Sequence, residues 1–189
     1  MEVNTVGELV PNRANVPFHS HVSMIVVPYM TEALTLKQPG KLLSIGLGAA
    51  TLDMFFYTKH PQLDITVVEL DETMVELAAR WFEHGGRQQK DGRLWPTEWN
   101  SWNERTSYYA LKVDGILVLN AVSQDFTLIK ATVKSHFPSC FAVKMPVLNE
   151  VIACIKQGQF PGNMKEKFEF FAKKLGLQND ISSYKLSVL

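Results

Sequence analysis

Apolar residues come in short blocks divided by turn-forming residues, and the spacing inside each block predicts its element. Lys41–Ile45 (KLLSI) is a short apolar run that ends on Gly46-Leu47-Gly48-Ala49-Ala50-Thr51 and passes into Leu52, Phe55 and Phe56 at helical spacing. The pattern is strand, Gly-rich turn, helix. The run Ile65–Val68 reads as a second buried strand that ends on Glu69-Leu70-Asp71. Asp71 is placed to N-cap a helix whose Met74, Leu77, Ala78 and Trp81 fall at i, i+3, i+4 and i+7. Two apolar strands joined through a helix predict a parallel pair covered on its faces, which is the α/β class.

Upstream, residues 22–36 carry apolar positions near helical spacing, with Pro28 expected to kink or divide the helix and Pro39-Gly40 to stop it. Residues 1–21 are polar and broken by Pro11 and Pro17, and read as an N-terminal arm. Downstream, Ile116–Ala121 predicts a strand, and Phe126–Phe137 a helix closed by Pro138. Phe141–Met145 and Glu150–Lys156 are strand-like, and the short Pro146-Val147-Leu148-Asn149 connection favours an antiparallel hairpin. Met164–Leu175 predicts an amphipathic helix, after which the chain reads as a tail. The expected organisation is an arm over 1–21, a central domain over 22–156, and a terminal helix and tail over 157–189.

Composition narrows the function classes. The 189 residues are 46% hydrophobic, and 19 Lys+Arg balance 19 Asp+Glu, so neither a disordered polyelectrolyte nor binding of nucleic acid by charge alone is expected. No apolar run approaches the roughly 20 residues that cross a bilayer, and no membrane association is expected. The first residues do not resemble a secretory signal. Cys140 and Cys154 form no CxxC pair and read as packing residues in a reducing, cytoplasmic setting. His19 and His21 lack a third ligand, so no metal is proposed.

The constellation that carries chemistry is the Gly-rich turn with the acid after the next strand. Gly46 and Gly48 stand where a strand passes into a helix, a place where an absent Cβ lets the backbone approach a ligand and present its N–H groups. Glu69 follows about 20 residues on, where a carboxylate can accept hydrogen bonds from ribose hydroxyls. Thr51 replaces the third glycine of the dinucleotide fingerprint, which makes NAD the weaker cofactor. Asn120, Ser123 and Asp125, at the end of the third strand, fall at the sheet edge where ligands gather, and are candidates for substrate contact or for loop capping.

KLLSIGLGAATLDMFF, TVVELDETMVELAARWF, LKVDGILVLNAVS and FAVKMPVLNEVIACIK resemble the class I S-adenosylmethionine-dependent methyltransferases. Within that class the chain is most similar to the spermidine-synthase-like branch that includes methyltransferases of eukaryotic elongation factor 1-alpha. The likeness covers most of residues 20–156. It implies a Rossmann-like, mostly parallel sheet with a C-terminal antiparallel hairpin and S-adenosylmethionine as cofactor. Gly46, Leu47 and Gly48 would cradle the methionine moiety, Glu69 would hold the ribose, and Leu70 would lie against the adenine. Methyl transfer to a protein nitrogen is the implied activity. Aminopropyl transfer to a polyamine, and a chain that binds without catalysis, are the alternatives. No catalytic base is identified, and the oligomeric state is left open.

One segment departs from that pattern. From Glu83 to Ala110 the sole aliphatic residue larger than alanine is Leu94, too little for a buried parallel strand, so one or two strands of the family's sheet are expected to be missing. Trp95, Trp99 and Trp102 keep helical spacing there. The segment reads as a helix with an aromatic stripe, as an aromatic substrate platform, or as a splice or gene-assembly product.

Overall fold

The computed structural model describes residues 2–3, 9–10, 19–48, 50–69, 71–82, 108–145, 149–178 and 181–189. The chain divides into two compact units, one of residues 1–16 and 37–100, the other of residues 17–36 and 101–189. Leu70, the three tryptophans 95, 99 and 102, and the connection 146–148 lie outside the described residues.

In the first unit, β1 (Glu2–Val3) pairs antiparallel with β2 (Leu9–Val10). The main sheet is β3 (Gly40–Ile45) beside β4 (Leu63–Val68), parallel and in register from Gly40↔Leu63 to Ile45↔Val68. The crossover is α2 (Thr51–Lys59), and α3 (Glu72–Phe82) follows β4. Asp71 caps α3 as its position predicts, with its carboxylate accepting the Thr73 N–H at 2.9 Å. Ala78 of α3 packs into a buried cluster with Leu47, Ala50 and Met54. The face of β3 that carries Leu43 and Ile45 stays open, with these side chains 48% and 40% exposed.

The second unit begins with α1 (His19–Met30). The helix is displaced from the expected 22–36, because Glu32 takes a left-handed φ of 66° and the chain turns back, with the Leu34 N–H donating to the Pro28 carbonyl at 2.9 Å. Pro28 sits inside the last turn. Ile25, Val26, Val27, Tyr29 and Met30 are all buried, so α1 has no solvent face along this stretch and its amphipathic spacing carries little information. The sheet runs β5 (Ile116–Val122), β7 (Asn149–Ile155), β6 (Ser139–Lys144), β8 (Lys185–Val188), antiparallel at every pairing. The expected hairpin is β6–β7. The two strands are central in the sheet and buried along nearly their whole length. Helix α4 (Thr127–His136) packs on β6, and α5 (Met164–Lys174) packs on α1.

The expected tail is instead ordered. A 3-10 turn at Ile181–Ser183 leads into β8, which adds to the edge of β6 with Leu186 opposite Val143. Its four residues alternate polar and apolar, too short a run to stand out by period. Parallel pairing among the described residues is confined to β3–β4, and the described strands fall into three sheets.

Side-chain links also tie the second unit together. Glu150 on β7 is nearly fully buried and meets Lys130 of α4 at 2.6 Å, while the same lysine lies 5.6 Å from the Phe126 ring centroid. A buried carboxylate is tolerable when it is paired, and removal of the lysine would leave it uncompensated. Cys140 and Cys154 stand directly opposite each other on β6 and β7 and form a disulfide. They are therefore a cross-link and not merely packing residues. Strand register brings the pair together across 14 residues of sequence.

The disulfide closes a short loop, and a loop of this size constrains the unfolded chain by about 3 kcal/mol. The Cys154→Ala variant is expected to unfold at lower denaturant than the oxidised wild type, and dithiothreitol should move only the wild type. Identical midpoints with and without reductant would show that the cross-link carries no stability.

Candidate functional site

The carboxyl ends of β3 and β4 lie level, and this brings the turn and the acid together. The Gly46 N–H donates to the Val68 carbonyl at 2.8 Å, which extends the parallel ladder one step past Ile45. At the next residue the Leu47 N–H donates to Glu69 Oε2 at 2.6 Å, and the other carboxylate oxygen accepts the Asp71 N–H at 3.0 Å. Short N–H to carboxylate bonds are charge-assisted and stronger than neutral ones. The acid thus buttons the turn to the start of α3.

The backbone of the turn explains its residue types. Gly46 has φ +86° and Gly48 φ +52°, and a Cβ built on either meets nothing within 4 Å, so open space lies above both. Glycine takes this left-handed conformation without strain, and each leaves the backbone approachable. Ala50 also takes a left-handed φ of 57°, and its N–H donates to the Leu47 carbonyl at 2.8 Å. The Leu47 side chain points inward and is buried with Ala50 and Met54, so this residue offers its backbone and not its side chain.

Sequence reasoning missed a second acid. Asp53 lies in the first turn of α2 and is only 1% exposed. Burial pushes its carboxyl up to about 6, against the opposing pull of hydrogen bonds from the Ser44 side chain on β3 and from its own backbone N–H. Its Oδ1 has no hydrogen-bond partner among the described residues. The signal was available: Asp53 interrupts the apolar run Leu52-Asp53-Met54-Phe55-Phe56 three residues before the buried Phe56, on the face that helical spacing turns inward.

Asn120, Ser123 and Asp125 belong to the second unit. Asn120 is exposed on β5. Ser123 and Asp125 are engaged locally, with Ser123 Oγ donating to the Asp125 carbonyl at 2.7 Å and Asp125 Oδ1 accepting the Thr127 N–H at 2.8 Å at the start of α4. The bonds from Thr127 hold the Asp125 carboxyl below its ordinary range. These contacts are those of a capping loop. Among the described residues no group of three His, Cys, Asp or Glu is arranged to hold a metal ion, and no helix is long and apolar enough to cross a membrane.

No protein-family profile matches the sequence. An eEF1A lysine and N-terminal methyltransferase of Mus musculus is 43% identical over 49 residues, which are 26% of this chain and 7% of that protein. The Homo sapiens protein of the same name is 41% identical over 49 residues, with the same shares. The chain therefore matches these curated relatives over 7% of their length. Among solved structures, human Methyltransferase-like protein 13 in complex with SAH superposes with a TM-score of 0.65 at 20% identity, covering 84% of this chain and 92% of that one. A probable spermidine synthase from Corynebacterium glutamicum superposes at 0.71 and 14% identity, covering 95% and 78%. The chain has the Rossmann-like α/β fold that these methyltransferase and spermidine synthase structures share.

The elevation at Asp53 has a direct consequence for stability. A carboxyl whose folded value lies above its unfolded value adds stability below about pH 4, and that stability is lost as pH rises through about 6. At pH 7.5 the ionised form costs on the order of 3 kcal/mol. Asp53→Asn is expected to raise the denaturant midpoint at pH 7.5 and to have little effect at pH 3.5. An equal shift at both pH values would contradict the assignment.

Proposed function

We propose that the chain is an S-adenosylmethionine-dependent methyltransferase acting on a protein nitrogen. The observation that carries this reading is the clasp between the Gly46–Gly48 turn and Glu69, formed by residues of the turn and acid that the family resemblance implicates. The site fits such a cofactor. Two left-handed glycines leave open space for its approach, and a carboxylate fixed by two backbone N–H groups stands at the sheet's carboxyl edge, where ribose binds in folds of this type. When bound, S-adenosylmethionine supplies a methyl group already activated by its sulfonium.

The chain's own part is binding and orientation. Gly46 and Gly48 admit the methionine moiety to the backbone, and Glu69 receives the ribose hydroxyls. Alignment of a nucleophile with an activated methyl needs little further chemistry, so positioning supplies much of the rate. A protein acceptor is supported by the eEF1A methyltransferases, one of which is 43% identical to this chain over 49 residues. Asn120, Ser123 and Asp125 are the candidate contacts for it.

A second reading, binding without transfer, is favoured by one observation. Leu43 and Ile45 on β3 are half exposed, at strand positions where a complete sheet of this kind is covered on both faces. Aminopropyl transfer to a polyamine has the fold likeness to a probable spermidine synthase behind it and no residue of its own.

Calorimetry with S-adenosylmethionine, alongside transfer of a radiolabelled methyl to an eEF1A preparation, separates these readings. Binding and label transfer are expected, with Glu69→Ala weakening binding about tenfold or more, as loss of hydrogen bonds to a charged group implies. Binding without transfer to any acceptor would favour the second reading. No binding at high micromolar concentration would sink both.

A further inference from the structure

The disulfide sits where the β6–β7 hairpin would first come apart. The chain connection between Lys144 and Glu150 closes one end of the hairpin, and Cys140 and Cys154 face each other beside the last pairing at the other end, Ser139↔Ile155. Both side chains are buried, in a cluster with Ala121 of β5, Val133 of α4, Phe137 and Ile152. Leu117 of β5 stands opposite Cys154. On the other side the Leu189 N–H, one residue past β8, donates to the Cys140 carbonyl at 3.0 Å, and the Leu189 side chain packs on the same cluster. The link thus lies at a point where α4, both flanking strands and the hairpin meet.

Strand register does not need the bond. The ladder runs from Ser139↔Ile155 to Lys144↔Glu150, β5 and β8 flank the hairpin, and the Lys130–Glu150 pair ties α4 to β7 independently. A reduced hairpin therefore keeps its two thiols opposite each other. Groups held in place react far faster than free ones, so the bond re-forms without a search by the chain. A buried cysteine thiol packs as a small hydrophobe, and the apolar cluster accepts the reduced pair. Two thiols in van der Waals contact still need more room than two bonded sulfurs. In a close-packed core that displacement passes to whatever lies against them, which at Cys140 includes Leu189.

The element that yields most readily is β8. It is four residues long, its side chains are mostly exposed, and it is held to the sheet through β6. Short exposed edges open locally at the lowest cost. We propose that Cys140–Cys154 is a reversible redox switch whose state sets how firmly β8 and Leu189 are held to the sheet. When β8 lifts, the thiolate of a dithiol reductant attacks the Cys140 sulfur, the S–S bond breaks, and Cys154 leaves as a thiolate that takes up a proton. The second thiol of the reductant then displaces Cys140 from the mixed disulfide. The protein gains two electrons and two protons, and the reductant departs as its own disulfide. Oxidation clamps the open end of the hairpin beneath Leu189, and reduction loosens β8 while the β5–β7–β6 ladder remains. The switch lies within the second unit and does not depend on methyl transfer.

The test treats the full oxidised chain with dithiothreitol in native buffer, counts thiols by alkylation and mass spectrometry, and follows amide hydrogen exchange segment by segment. Both cysteines should become alkylatable while β5 and β7 keep their protection, and exchange across residues 185–189 should quicken about tenfold or more. Transfer to oxidised glutathione should restore the intramolecular link and the protection together. Leu189→Ala, which uncovers Cys140, should speed reduction of the native chain. Cys154→Ala should show the faster exchange at 185–189 with and without reductant, and if it does not fold, the reduced wild type supplies the same comparison. Reduction that proceeds only as β5 and β7 lose protection would overturn the proposal. So would unchanged exchange at 185–189 after reduction, or a reduced chain that glutathione disulfide does not return to the Cys140–Cys154 link.

Discussion

The hydrogen bond from the Leu47 N–H to the Glu69 carboxylate is the constraint on which the site depends. A Gly-rich turn is conformationally permissive, and permissiveness carries an entropic cost when the turn must hold one shape. Here the shape is set from both ends. The parallel register places Ile45 opposite Val68, the Gly46 N–H extends that ladder, and Glu69 then reaches across to the following amide. Because the same carboxylate also accepts the Asp71 N–H, the turn, the end of β4 and the cap of α3 are fixed by one side chain. Register in the sheet is thereby translated into geometry at the cradle.

Three carboxylates show how environment assigns roles to one chemical group. Glu69 is half-buried and bound by backbone donors, and it shapes the turn. Glu150 is buried and paired with Lys130, and it ties α4 to the sheet. Asp53 is buried against Ser44, and that burial pushes its carboxyl up to about 6. Burial of an ionised carboxylate is a poor way to stabilise a fold.

Much of this was legible along the chain. The strands of the parallel pair, the glycine turn, the Asp71 cap and the β6–β7 hairpin follow from the pattern of short segments and the turns between them. Features set by distant residues were not legible. The Cys140–Cys154 link depends on hairpin register, and β8 depends on an open edge of β6 that only the assembled sheet provides. The α1 boundary was lost because a helix buried on every side shows no amphipathic period. The inward face of Asp53 is legible from helical spacing, but the depth of its burial against Ser44 depends on how α2 packs on β3. At Ser123 and Asp125 the capping alternative matched the local hydrogen bonds, which are short-range and thus readable.

The central claim is that Glu69 holds the turn in its binding shape before any ligand arrives. The Leu47 amide proton, observed by nitrogen-15 correlated NMR on the free chain, tests it most directly. The account predicts a downfield, exchange-protected resonance that moves upfield and exchanges faster in Glu69→Gln, as expected when a charged acceptor is replaced by a neutral one. An amide that exchanges at the rate of an unstructured loop in the wild type, or one indifferent to the substitution, would contradict it.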